Sequence, residues 1–486
     1  MKSLSSRRLL RAMGSCALLF SLLIGAPGAV RAAGTIYVGP GNASTGGSCT
    51  DPDFGVISSG DAEMALESAI NDASNPDHVI ICAGTYDLPG TVNIDNDAVH
   101  IEGVSASSVK ITQTAHSGWL LMVQQDDVTI SGITVDGASH LDGLGNGAGI
   151  LVWEGETLTV NDSVFKNNEA VQGAAIWMDA GSTLITHNNL FQGNVAEDGG
   201  ALWFGEDATG ELHDDEFEDN HAVGDIDLTN PEGGAIYMEY NEDGFVESYL
   251  EVSGALFSGN TSDEDGGGIC VQEATVVYIT DSTFVDNHAV GIGDSTEGGA
   301  VYVDYGELQV FDSIFTGNSS YEDGGAVAVD DASLSHMILQ NNRFTGNQAY
   351  GDSGADGGAV YFMTASAEIL GNTFSRNQSE RDGGAAYGGW VREDVEEPNE
   401  FLAIDLEIKG NRFISNRAGT YGGALAVESQ AQSGDASRNR FAGNQSRYGS
   451  DVAQLGGGTG CPVSRSETLR AWRRSGAHNI VAACVN

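Results

Sequence analysis

The spacing Phe-x-x-Asn occurs ten times, at Phe165, Phe191, Phe217, Phe257, Phe284, Phe315, Phe344, Phe374, Phe413 and Phe441. The intervals are 26, 26, 40, 27, 31, 29, 30, 39 and 28 residues. A glycine doublet follows eight of the copies, at Gly199, Gly233, Gly266, Gly298, Gly324, Gly357, Gly383 and Gly422, while the first copy carries Gly173-Ala174. Units of roughly 20 to 50 residues cannot bury a core alone and must stack as a solenoid, propeller or array.

Strand chemistry narrows the choice. Short alternating runs follow the doublets, "AIWM", "ALWF", "AIYM", "AVYV" and "AVYF". Ile176 and Met178, Ile236 and Met238, and Val301 and Val303 then share a face, because side chains alternate along a strand. A second apolar run precedes each Phe, as in "LTVNDSVF" and "LQVFDSIF". Helical periodicity is absent from the units. A propeller blade needs four strands in about 40 residues, longer than most intervals here. The expected fold is therefore all-β, a right-handed parallel β-helix with short helical caps at both ends. Equivalent residues stack about 4.8 Å apart in such a coil. Repeated Phe predicts an internal aromatic stack, repeated Asn an amide ladder, and the Gly pair a turn that a Cβ would block.

The ends differ in composition. Residues 1–33 resemble a secretory signal peptide, with Lys2, Arg7, Arg8 and Arg11 before the apolar stretch Ala17–Ile24 and small residues at Ala32 and Ala33. Residues 34–98 read as an N-terminal cap and lead-in, 99–444 as β-helix coils and 445–486 as a C-terminal cap. Ala62, Leu66, Ala69, Ile70 and Ala73 have helical spacing, and Ser464 with Glu467 has capping-box spacing in a second helix that Gly476 would stop. No later run approaches the ~20 apolar residues of a membrane span. The expected product is secreted or held at the cell surface, and monomeric. Export permits disulfides, and local pairing predicts Cys49–Cys82 and Cys461–Cys484, leaving Cys270 as a buried free thiol.

The chain has 69 acidic and 21 basic residues. Removing the five basic residues of the leader leaves 16, a net charge near −53. Nucleic-acid binding is excluded, since phosphate contact needs a basic footprint. Such a polyanion favours cations. The loops after Asn220, Asn287 and Asn347 are longer than those between them, and Asp225, Asp227, Asp294 and Asp352 in these loops are candidate Ca²⁺ ligands.

Between the core positions of each post-doublet strand lies an outward residue. Trp177, Trp203, Tyr237, Tyr302, Tyr361 and Tyr387 occupy this slot, interrupted by Cys270, Ala328 and Ala426, with Asp179, Glu239, Asp304 and, after Ala328, Asp330 two positions on. Aromatic rings edged by carboxylates form a candidate glycan-binding stripe. No catalytic residue is assigned. A lyase on this fold needs a Lys or Arg base beside an acid cluster, yet Lys110 and Lys166 are the only basic residues between Gly34 and Asn342. The later Arg376, Arg381 and Arg392 are dispersed, and the ten histidines show no metal-ligand spacing.

The phrases Gly234-Ala235-Ile236 with Phe257–Asn260, and Gly325-Ala326-Val327 with Phe344–Asn347, resemble the repeats of the polymorphic outer-membrane protein family. The N-terminal "GTIYVGPGN" also looks like the start of many exported right-handed β-helices. The resemblance implies a surface-associated adhesin or passenger domain. Members of that family end in a membrane β-barrel, whereas about 40 residues follow the last repeat here, so outer-membrane anchoring is not expected. The functional expectation is an exported β-helix with a binding or adhesive role, glycan being the leading ligand class. A polysaccharide lyase or glycosidase on the same fold is the alternative.

Overall fold

A computed structural model describes residues 35–42, 47–56, 58–71, 78–113, 118–141, 145–224, 231–239, 248–272, 275–291, 296–351, 354–389, 405–428, 432–433, 437–457, 477 and 480–485. The expected leader, the second helix around Ser464 and Cys461 lie outside these residues.

One coil illustrates how the repeat folds. Ile176–Met178 and Thr183–His187 lie in the largest sheet, Leu190–Gln192 in a 13-stranded sheet and Val195–Ala196 in a 10-stranded one. The next coil begins with Leu202–Phe204, which pairs in parallel with Ile176–Met178. Parallel pairing starts at Thr35–Pro40 and runs to Ile480–Val485. The architecture is a parallel β-helix.

The period-2 pattern and the coil translation together make the interior. All ten repeat phenylalanines stack in one column, with neighbouring ring centroids from 4.6 Å (Phe217–Phe257) to 5.2 Å (Phe165–Phe191). Nine of them are buried, Phe441 only partly.

The repeat asparagines form the expected amide ladder, from Asn168 to Asn444. Each one up to Asn416 donates its backbone N–H and its Nδ2–H to the Oδ1 of the Asn one coil on, as Asn287 does to Asn318 at 2.9 and 3.0 Å. The other Nδ2 hydrogen goes back to a phenylalanine carbonyl, Phe257 O in this case. An amide has both donor and acceptor, so the ladder satisfies itself. A second polar ladder runs along another turn in two stretches, through Ser163, Asn189 and Asp215 and, after a break at Ala255, through Ser282, Ser313, Asn342, Asn372, Asn411 and Asn439. The recurring Asp-Ser and Asn turns of the sequence are its rungs.

The glycine doublet acts through two separate constraints. Gly324 has φ +62°, and a Cβ on Gly325 would lie 2.4 Å from Gly358 O and 2.5 Å from Gln348 C. Backbone cannot move aside there.

At the N-terminal end the helix Ser59–Ile70 packs Ala62, Leu66, Ala69 and Ile70 onto the tube core. Asp61 accepts from the Ser58 N–H and hydroxyl at its start. It is the one helix among the described residues. Cys49 and Cys82 form the expected disulfide, and Cys270 is free and buried.

Candidate binding face

The outward residues of the post-doublet strands form a register column: Leu151, Trp177, Trp203, Tyr237, Cys270, Tyr302, Ala328, Tyr361, Tyr387 and Ala426. It lies off the main core, as alternation requires, and stacking runs along it. Trp177 and Trp203 are parallel at 4.9 Å, Tyr361 and Tyr387 at 5.6 Å.

The column is not an open platform. Trp203 is only 4% exposed, Tyr302 and Tyr361 8%, and Tyr387 7%. From Cys270 onward these residues form an apolar cluster separate from the tube interior. The covering is the turn that ends in Gly-Gly. A Cβ on Gly173 would stand 2.8 Å from Trp203 Cβ, and one on Gly266 or Gly324 the same distance from Cys270 or Ala328 Cβ. The turn is thus pressed against the stripe residue of its own coil at Gly266 and Gly324, and against that of the following coil at Gly173. Trp177 and Tyr237 remain half-buried, as do Asp179, Glu239, Asp304 and Asp330. Trp153 adds an aromatic that the strand pattern missed. It is 49% exposed, and because the Asp179 N–H donates to Val152 O, it sits one coil before Asp179 at the acidic rim. It follows the apolar run rather than lying inside it, so alternation did not single it out.

The same turns carry a column of carboxylates: Asp198, Glu232, Asp265, Glu297, Asp323, Asp356 and Asp382, one per coil and each directly before the glycine doublet. The Asp265 carboxylate accepts the Glu297 N–H, Asp323 that of Asp356, Asp356 that of Asp382, and Asp382 that of Tyr421, at 2.6 to 2.9 Å. A carboxylate has no proton to pass on, so this ladder cannot close as the amide ladders do. Burial pushes Asp198 up to about 6 and Glu232 to about 7. Burial, then the charges of neighbouring acids, holds Asp265 and Glu297 well above the usual carboxylate range. The Glu297 Oε2 atom is buried and has no hydrogen-bond partner. Cys270 Sγ–H donates to Glu232 Oε2 at 3.2 Å. Burial, followed by the charges of Asp265 and Glu297, raises the Tyr302 phenol.

Of the basic side chains named for the enzymatic alternative, Lys110, Lys166 and Arg381 are engaged. Lys110 and Lys166 both reach Asp136 Oδ2, at 2.9 and 3.5 Å, and Arg381 is bidentate to the buried Asp356. The loop acids Asp225, Asp227, Asp294 and Asp352 fall outside the described residues, as does Arg392. Among the described residues no helix is long and apolar enough to cross a membrane.

Comparison with known proteins agrees with the coil and repeat. Residues 119–304 match the right-handed β-helix region family, and residues 312–330 match the chlamydial polymorphic membrane protein repeat. No curated protein sequence matches the chain. Similar solved structures include the catalytic domain of a GH87 α-1,3-glucanase in complex with nigerose, at 11% identity and TM-score 0.47 over 79% of this chain and 68% of that one. A periplasmic alginate epimerase is similar at 11% identity and TM-score 0.42, covering 78% and 77% of the two chains. The catalytic unit of a GH87 α-1,3-glucanase from Streptomyces thermodiastaticus is similar at 12% identity and TM-score 0.37, covering 88% and 66%. The protein is a right-handed parallel β-helix, and its repeat is similar to that of the chlamydial polymorphic membrane proteins.

Proposed function

We infer that the protein is an exported or surface-held β-helix that binds glycan on the half-buried N-terminal part of the aromatic column, without cleaving it. The observation that carries this reading is the cluster of Trp153, Trp177, Asp179, Tyr237 and Glu239. It combines accessible aromatic surface with carboxylate acceptors, the pairing that sugar rings and their hydroxyls call for. Trp203, stacked behind Trp177, holds that indole in place. Tyr302, Tyr361 and Tyr387 are the packed continuation of the column and serve stability. The repeat similarity supports a surface location.

The test is affinity electrophoresis of the mature protein through gels containing a panel of neutral and acidic polysaccharides, with product analysis alongside. Retention without products is expected. Trp177→Ala or Trp153→Ala should weaken it roughly tenfold or more, as for an accessible anchor residue. Tyr361→Phe should leave it unchanged. Released oligosaccharides would establish the lyase or glycosidase reading instead. If no member of the panel retards the protein, glycan binding is wrong.

A further inference from the structure

His78 and His100 occupy one position in successive coils, paired across the parallel strands His78–Ile81 and His100–Gly103. Their imidazoles stack at 4.7 Å and 11°. Glu102 lies two residues beyond His100 on the same outward face, and Ser131 is its register partner one coil on. Both rings lean diagonally across the strands. His78 Nε2 is 2.6 Å from Glu102 Oε2, and His100 Nε2 is 2.9 Å from Ser131 Oγ.

Donor atoms of His78, His100 and Glu102 all lie within 4.8 Å of one another. Among the described residues no other set of three or more His, Cys, Asp or Glu side chains converges this closely. That contrast matters in a chain with 69 acidic residues, where carboxylates alone would bring many groups near each other by chance. Among the described residues no carboxylate joins the second stacked histidine pair, His187 and His213 at 4.8 Å, within that distance, although Asp214, Glu211 and Asp162 act on His187 through their charge.

We propose that His78, His100 and Glu102 bind one divalent transition-metal ion of the zinc class, with a fourth position open beside Ser131. Two imidazole nitrogens and one carboxylate oxygen suit that class, whereas calcium and magnesium take six or more oxygens. Zinc bonds of about 2.0 to 2.2 Å set tetrahedral donor atoms roughly 3.4 Å apart. Small side-chain rotations reach that spacing from the present one, replacing the His78–Glu102 hydrogen bond with two metal bonds. Glu102 and Ser131 also line a cleft of about 330 Å³ with Gly103, Val104, Ser105 and Asp162. The fourth position faces this cleft, so water or a hydroxyl oxygen of a ligand has access to it. The acidic wall disfavours an anion there. The histidines gave no motif in the sequence because ligands on neighbouring coils are separated by one coil length, 22 residues from His78 to His100. This site stands apart from the aromatic column, and its test does not depend on glycan binding.

The experiment is isothermal titration of the chelator-stripped, full mature chain with Zn²⁺ alone. One saturable equivalent is expected, and Ca²⁺ should not compete. Glu102→Gln, which preserves the side-chain shape, should weaken binding at least tenfold, and the double variant His78→Ala with His100→Ala should abolish it. His187→Ala with His213→Ala should bind like the parent. Because the ion joins two coils, zinc should also raise the melting temperature of the parent and not that of Glu102→Gln. Circular dichroism checks that each variant is folded. Absence of saturable binding by the parent overturns the proposal, as does unchanged affinity in folded Glu102→Gln.

Discussion

Asn318→Ala is expected to destabilise the protein by roughly 3 to 4 kcal/mol, because it strands buried partners that nothing else can reach. Asn318 Oδ1 accepts the Asn287 N–H and Nδ2–H, and its own Nδ2 donates to Phe284 O and Asn347 Oδ1 at 3.1 Å. The backbone N–H of Asn287 loses its acceptor outright, at about 1 to 3 kcal/mol, and the vacated volume adds to that. Asn318→Asp keeps the shape and the acceptor but presents a carboxylate to two oxygens. It should be worse than Ala near neutral pH and recover towards the parent in mild acid. The second ladder contains a natural version of this change at Asp215, where burial, opposed by hydrogen bonds from Thr186 and Asn189, raises the carboxyl to about 6. Urea melts followed by circular dichroism decide the matter. A loss below about 1 kcal/mol for Asn318→Ala would mean the ladder is a packing feature and not a source of stability.

Lowering the pH from about 8 to about 5 should stabilise the protein, opposite to the usual behaviour of paired carboxylates. Asp198, Asp215 and Glu232 bind their protons more tightly folded than unfolded, near 6, 6 and 7. Below the unfolded values, about 4, both states are protonated and the groups carry no penalty. As pH rises the unfolded chain releases protons first, and the penalty is complete above about 7. Each carboxyl raised by about two pH units costs the folded state roughly 3 kcal/mol at neutral pH.

The formal charge of −48 pushes the profile the same way through surface repulsion, so salt is needed to separate the two. About 0.5 M salt screens exposed charges but not buried ones. Melting temperatures in that salt with chelator present should still climb as pH falls. Glu297→Gln can replace the unpartnered acceptor Oε2 with an amide N–H group able to donate to neighbouring acids, and it removes a like charge acting with Asp323, Asp330 and Asp265. It should add roughly 1 to 3 kcal/mol at about pH 8 and flatten the profile. A profile that is already flat in high salt would show the column to be ionised and neutralised by other means.

Much of this protein is legible in the sequence because a β-helix repeats by translation. A residue that recurs once per coil must stack on its copies, so the jobs of Phe315, Asn318 and Gly324-Gly325 follow from recurrence and residue chemistry alone. Alternation also places Trp177 and Tyr302 correctly off the core.

Exposure is a different kind of fact. Alternation says which side of a strand a side chain leaves, not what passes over it afterwards. Only the tertiary path of the Gly-Gly turns decided that Tyr302, Tyr361 and Tyr387 are covered while Trp153 is open. The same turns carry the acids before the doublets into a column that is buried at Asp265 and Glu297, which no sequence pattern announces. Convergence across coils is equally invisible along the chain. His78 and His100 are neighbours because one coil happens to take 22 residues at that point, and loop length, unlike residue type, leaves no chemical mark in the sequence. The repeat determined the scaffold and its internal ladders; the turns laid over it decided which outward groups can meet a ligand.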